Sequence, residues 1–285
     1  MRARAVVEVL LLPNLGLNVF FTLAFLFLAT GGRPGLVQGA LIVLAFLGAR
    51  NAGHAFNQWA DRDLDAANPR TRDRPLVQGR LSPRAVLLLV AGNLALFFVA
   101  AVLLRPVLLL LALPAVALVL GYSYTKRVTA WTTVILGTVE SLVPAGVFLA
   151  VDGTLPPVAF LGIAALVAFG TAFEIVHSLQ DVEADRRLGL RSLPVALGTR
   201  TAIWLQGLAL AFALLFLALL GAGTVGPSLG YAAGILALAG LAFLEVRGLS
   251  TGRWPLPRAF RSHFLMGACF LLGVLAAYGL PGARG

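Results

Sequence analysis

"FNQWADRDLDAANPRTRDRPLVQGRLS", residues Phe56–Ser82, packs four aspartates and five arginines into a chain that is otherwise almost continuously apolar. Of the 285 residues, 59% are hydrophobic and 12% charged, and the mean hydropathy is +0.92. Soluble domains carry roughly a quarter charged residues. Apolar runs of about 20 residues are long enough to cross a bilayer as helices. Open strands leave backbone groups unsatisfied in lipid. The fold class is therefore all-α integral membrane. The net charge of +10 does not point to nucleic acid, because the 21 arginines and the single lysine, Lys126, sit mostly in short loops between apolar runs. The one cysteine, Cys269, lies in an apolar run and has no partner for an intrachain disulfide.

Nine spans are predicted, at 6–30, 36–60, 85–104, 107–124, 130–150, 157–180, 201–220, 228–246 and 263–280. Ser82-Pro83 reads as an N-cap followed by a first-turn proline, and Thr199 as the cap of the seventh span. With this span count, eighteen basic residues fall on the side of the N-terminus and of every second loop. Three (Arg33, Arg105 and Arg284) fall on the other side, and Arg50 lies inside a span. The positive-inside rule then places the N-terminus and the long loops in the cytoplasm of an inner or cell membrane, and the C-terminus outside.

The opening stretch has an echo. Asn57, Asp61 and Asp65 close the second span at spacings of four, and His177, Asp181 and Asp185 close the sixth at the same spacings. Each set runs into a basic loop, "RPLVQG" after the first and "RSLPVALG" after the second. The chain reads as two related four-helix halves around a central cavity, plus a ninth helix. The chain 1–285 is expected to form one domain.

Residues four apart on a helix share a face, so Asp61 sits with Asp65 and Asp181 with Asp185. A carboxylate at the membrane costs about 2.5–3.5 kcal/mol even on the lenient insertion scale. Salt bridges to the nearby arginines are one way to offset that cost. The other is Mg²⁺, which takes oxygen ligands and is usually shared with substrate phosphates. A cation transporter would place its acids near the midplane, among broken helices. These acids are at the rim and collared by arginine, which suits a phosphorylated substrate neutralised by metal and guanidinium together. The motif of cytidine-linked phosphatidyltransferases is absent. Arg50 lies about two turns before Asn57, too deep for an unpartnered cation, and reads as the ligand of a substrate anion.

"NQWADRDLD", "DVEAD" and "YSYTK" (Tyr122–Lys126) together resemble the UbiA superfamily of intramembrane prenyltransferases: its N-x-x-x-D-x-x-x-D, D-x-x-x-D and Y-x-x-x-K elements. The resemblance runs from about Arg50 to Gly198. "RTRDRPLVQGRLS" and "DVEADRRLGLRSLPVALG" are most similar to the branch that prenylates 4-hydroxybenzoate and related aromatic acids in quinone biosynthesis. The resemblance implies two Mg²⁺ ions held by Asp61, Asp65, Asp181 and Asp185 with help from Asn57. It implies a polyprenyl diphosphate donor, whose leaving group Lys126 and Arg127 stabilise, and attack by an electron-rich acceptor on the allylic cation. Tyr122 reads either as an interfacial belt tyrosine or as a residue near the cation or the phosphate. Arg62 is a partner either of neighbouring acids or of phosphate. The acceptor stays open between benzoate, dihydroxynaphthoate, haem and glycerophospholipid. His54 and His177 read as hydrogen-bonded core residues. Glu8, Glu140, Glu174 and Glu245 are isolated acids with no role assigned.

Overall fold

A computed structural model describes residues 2–10 and 16–279. A short helix α1 (Arg2–Val9) precedes α2 (Gly16–Ala29), α3 (Leu36–Ala60), α4 (Arg62–Ala67), α5 (Pro83–Leu104) and α6 (Leu108–Gly121). A 3-10 turn, Tyr122–Arg127, leads into α7 (Thr132–Glu140), α8 (Leu142–Asp152) and α9 (Pro157–Leu179). The chain continues through α10 (Val182–Arg187), α11 (Leu193–Leu197), α12 (Thr199–Thr224), α13 (Leu229–Ser250) and α14 (Leu256–Tyr278).

Eight segments among the described residues are long and apolar enough to cross a membrane, with α6 and its 3-10 turn forming one and α7 with α8 another. This is a multi-pass integral membrane protein. The expected first span, 6–30, is described only in part. Its described part is α1 and the 14-residue α2, which rises only about 21 Å against a hydrocarbon core of about 30 Å. Residues 11–15 of that span, Leu280 at the end of the ninth, and Arg284 lie outside the described residues. The outer surface carries exposed Leu88, Leu110, Leu113, Leu236 and Phe243, as a lipid-facing surface should.

Local chemistry accounts for the helix ends. Ser82 accepts a hydrogen bond from the Ala85 amide at 3.2 Å, with Pro83 in the first turn of α5. Thr199, by contrast, is already helical, and the residue before α12 is Gly198 at φ 83°.

The repeat is visible in the backbone. Asp61 ends α3 at φ −101°, ψ 13°, and Asp181 follows α9 at φ −109°, ψ 1°. In each half the second aspartate's amide donates to the first aspartate's carbonyl at 2.7 Å. The motif helix α3 packs chiefly on α5, and its counterpart α9 on α12. Buried Phe21 meets Phe169 edge-on at 4.8 Å, which ties α2 to α9 in the core. Glu245, isolated in the sequence, is fully buried in the structure. It accepts from Gln206 at 2.6 Å and from Ser262, and His263 Nδ1 stands 3.3 Å away, so α12, α13 and α14 share one polar knot.

Helices α7 and α9 pack backbone to backbone. A Cβ on Gly137 of α7 would stand 2.2 Å from the Val167 carbonyl oxygen, and one on Gly170 of α9 would stand 2.9 Å from the Gly137 Cα. Small residues at such crossings let membrane helices pack backbone to backbone. Gly137→Val must push α7 off α9. We expect a loss of about 1–3 kcal/mol, read as a lower melting temperature in detergent, whereas Gly92→Val, where a Cβ meets no neighbour within 4 Å, should change it little.

Candidate active site

The two aspartate motifs converge on the polar mouth of one cavity of about 560 Å³. Asp61, Asp65, Asp181, Asp185, Asn57, Tyr122, Lys126 and Arg127 all line it, and so does Arg50, deeper along α3. Below them the walls turn apolar, through Phe46, Phe97, Leu104, Leu108 and Val147. From Asp61 to Ile42, both on its wall, α3 rises about 28 Å. The cavity therefore reaches most of the way through the bilayer's hydrocarbon thickness.

At the mouth each of three aspartates is held by a different arginine. Arg127 Nη2 bonds Asp61 Oδ1 at 2.9 Å and the Ala60 carbonyl at 2.8 Å. Arg74 Nη1 bonds Asp65 Oδ2 at 2.6 Å. Arg70 grips Asp181 with two parallel bonds, Nε to Oδ1 at 2.8 Å and Nη2 to Oδ2 at 2.5 Å, and Asn68 Nδ2 adds a third at 2.9 Å. The loop after the first motif thus reaches across to the second. Asn57 Nδ2 donates to Asp61 Oδ2 at 2.9 Å. The loop after the second motif reaches back in turn: the Arg191 amide donates to the Lys126 carbonyl at 2.8 Å, and Arg191 Nη1 to the Val128 carbonyl at 2.7 Å.

These contacts account for the proton affinities. The paired hydrogen bonds and charge of Arg70 outweigh burial and hold Asp181 down to about 2. For Asp61, Asp65 and Asp185 burial dominates and raises the carboxyl above its usual range. Asp185 Oδ2 is buried and has no hydrogen-bond partner among the described residues. No three acidic, histidine or cysteine side chains among the described residues stand together as a metal-ligand set.

The structure also places what spacing left undecided. Arg62 is exposed and is not among the residues lining the cavity; Arg70 and Arg74 hold the acids instead. Asp63 and Glu183 point outward. Arg50 Nη1 donates to the Leu10 carbonyl at 2.9 Å and to Asn51 Oδ1 at 3.2 Å. Glu8 pairs with Arg80 at 2.7 Å and Arg4 at 3.2 Å, which pins α1 to the arginine-rich loop. Glu174 is buried on the cavity wall, where Tyr122 Oη donates to it at 2.8 Å and His177 Nδ1 lies 3.1 Å away. A signal for it existed, since residues seven apart share a helix face and Glu174 lies seven before Asp181.

The chain is similar to known proteins over nearly its whole length. The sequence pattern of the UbiA prenyltransferase family matches residues 18–267. A 4-hydroxybenzoate octaprenyltransferase of Azoarcus sp. is 33% identical over 259 residues, which cover 90% of this chain and 89% of that one. A protein of the same name from Alcanivorax borkumensis is 31% identical, with 90% and 88% covered. Among solved structures, the apo form of a UbiA homolog from Aeropyrum pernix superposes with a TM-score of 0.82 at 28% identity, covering 91% of this chain and 96% of that one. A UbiA homolog from Archaeoglobus fulgidus, solved with GPP and Mg²⁺, shares the fold at TM-score 0.71 and 19% identity, with 96% and 99% covered.

The Arg70–Asp181 pair sets a pH dependence. A carboxyl depressed to about 2 from an unfolded value near 3.9 contributes stability that is fully present above pH ~4 and lost as pH falls toward 2. Arg70→Ala should therefore cost about 2 kcal/mol at pH 7. In melts taken across pH 3–7 the gap to the unsubstituted protein should narrow as pH drops. A gap that widens toward low pH would show that the pair is not the source.

Proposed function

Because this chain belongs to the UbiA prenyltransferase family, we propose that it moves a polyprenyl group from its diphosphate to 4-hydroxybenzoate or a close aromatic acid, as a step of quinone biosynthesis. The observation that carries this reading is the composition of one continuous cavity. Its mouth holds two aspartate pairs and four cationic side chains, its middle holds Arg50, and its depth is hydrocarbon. A prenyl diphosphate has the matching halves, an anion for the mouth and an alkyl chain for the walls. The curated relatives bear the name of an enzyme that uses 4-hydroxybenzoate.

The site suits divalent metal on its own terms. Its donors are all carboxylate or amide oxygens, one of them, Asp185 Oδ2, buried without a hydrogen-bond partner among the described residues. Burial disfavours the charged forms of three of the four carboxylates, a cost that a cation would remove. Asp61, Asp65, Asp181 and Asp185, with Asn57, would hold two Mg²⁺ ions. Such ions neutralise diphosphate oxygens and so ease departure of the leaving group.

The chain's own residues do the rest. Arg70, Arg74 and Arg127 already stand on acids at the mouth. An incoming diphosphate offers those guanidinium groups further anionic oxygens. Lys126, whose main chain Arg191 fixes, faces the position where charge collects as the allylic C–O bond breaks. Arg50 sits deeper, where it binds the acceptor carboxylate and turns the ring toward the cation. Apolar walls keep out water that would otherwise capture the cation.

Two measurements test this. Membranes containing the protein should prenylate 4-hydroxybenzoate from labelled polyprenyl diphosphate, lose that activity on exhaustive chelation and regain it with Mg²⁺; full activity after chelation rules the metal out. In kinetics, Arg50→Ala should raise the KM for the acceptor and Lys126→Ala should lower kcat, each by about 10- to 150-fold for a lost charge-assisted contact. If Arg50→Ala instead raises only the donor KM, Arg50 serves the diphosphate.

A further inference from the structure

The two motifs are 120 residues apart, from Asp61 to Asp181, and the repeat puts His177 in register with Asn57 and Glu174 in register with His54. The halves use that register differently. Asn57 reaches forward and donates to Asp61 Oδ2 at 2.9 Å. His177 turns back: its Nδ1 lies 3.1 Å from Glu174 Oε2, while Asp181 takes its hydrogen bonds from Asn68 and Arg70. The residue that replaces Asn57 in the second half has therefore left the aspartate it would have supported.

Its new partner is placed with some care. Glu174 is 1% exposed, on the cavity wall, and accepts from Tyr122 on Oε1 and from His177 on Oε2. An ionised carboxylate only accepts, so the proton between the two belongs to Nδ1. That tautomer leaves the lone pair on Nε2, which makes no hydrogen bond to the protein among the described residues. The imidazole lines the cavity, is 32% exposed, and has the Phe260 ring 6.0 Å away. A carboxylate that fixes the tautomer of an imidazole and stabilises its protonated form is the arrangement by which a histidine serves as a general base.

Aromatic prenylation must pass a ring proton to an acceptor. The C–O bond to diphosphate breaks and its electron pair leaves with the diphosphate. A ring π pair forms the new C–C bond at a carbon beside the one bearing the hydroxyl, since the carboxyl occupies the position opposite. The ring regains aromaticity only when the C–H pair returns to it and the proton goes elsewhere, inside a cavity built to exclude water. Three of the four motif aspartates are already engaged by arginines. We infer that His177, oriented by Glu174, is the base that accepts this ring proton on Nε2; the inference rests on the proposed reaction. From there the proton leaves by the mouth, one helical turn away at Asp181.

The test uses the full-length enzyme with Mg²⁺, geranyl diphosphate and 4-hydroxybenzoate deuterated at both carbons beside the hydroxyl-bearing one. In the unsubstituted enzyme the base should remove the proton faster than the diphosphate leaves, so deuterium should have no effect. His177→Asn restores the residue of the first half. If His177 merely supported the motif as Asn57 does, this variant would keep its rate. If it is the base, kcat should fall about 100-fold or more, and a primary deuterium isotope effect should appear because proton removal now limits the rate. Glu174→Gln keeps an acceptor for Tyr122 but withdraws the charge that stabilises the imidazolium, and should show the same isotope effect with a smaller loss. The circular dichroism spectrum and melting temperature of both variants should match those of the unsubstituted protein, which confirms that they fold. A His177→Asn enzyme within twofold of the original, or one that is slow without an isotope effect, overturns the assignment. Failure of the unsubstituted enzyme to prenylate the acid at all would instead overturn the proposed function, and this inference with it.

Discussion

The bidentate contact of Arg70 with Asp181 joins the two halves of the molecule. Its partners are 111 residues apart and belong to separate repeats. Without it the hydrogen bond of Asn68 would be the remaining side-chain hold of the first motif's loop on Asp181 among the described residues, and a carboxylate that is 4% exposed would lose its main counter-charge. Breaking a buried ion pair on one side is costly, because the remaining charge stays behind unpaired. Arg191 returns the contact from the other half through the Lys126 backbone. These two crossings turn two helix ends into one mouth.

Function follows from what lies beneath that mouth. Charged groups at the rim of an apolar cavity are held in a setting of low dielectric, where interactions with a developing anion are stronger than in water. Three aspartates in such a setting are pushed toward neutrality, and the fourth is held ionised by its arginine. The site is thus electrostatically unfinished with protein groups alone. A metal-bound diphosphate would complete it.

Much of this was legible in the sequence, and physics explains which parts. The four aspartates, Asn57 and the depth of Arg50 follow from helical spacing, which is local information, whereas Lys126 came from the resemblance of its motif to a known family. The two related halves follow from the repeated spacing, and eight of the nine predicted spans from apolar run length. The partners of the arginines were not legible, because Arg70 and Arg62 are equivalent loop charges until the chain folds back. Arg62 turned out exposed and Arg70 central. Glu174 and His177 were visible in the sequence, one as an isolated acid and one in the motif's spacing, but the bond from Tyr122 to Glu174 depends on how the 3-10 turn folds against α9.

The central claim is that both motifs build a single diphosphate site, so that neither works alone. Calorimetric titration of geranyl diphosphate in the presence of Mg²⁺, without acceptor, tests it directly on the purified protein and on Asp61→Asn and Asp181→Asn variants. The account predicts that either substitution weakens binding by at least the 10-fold that a lost charge-assisted contact is worth, with one molecule bound per chain in the unsubstituted protein. Full-strength binding by either variant, or two independent sites per chain, would contradict it.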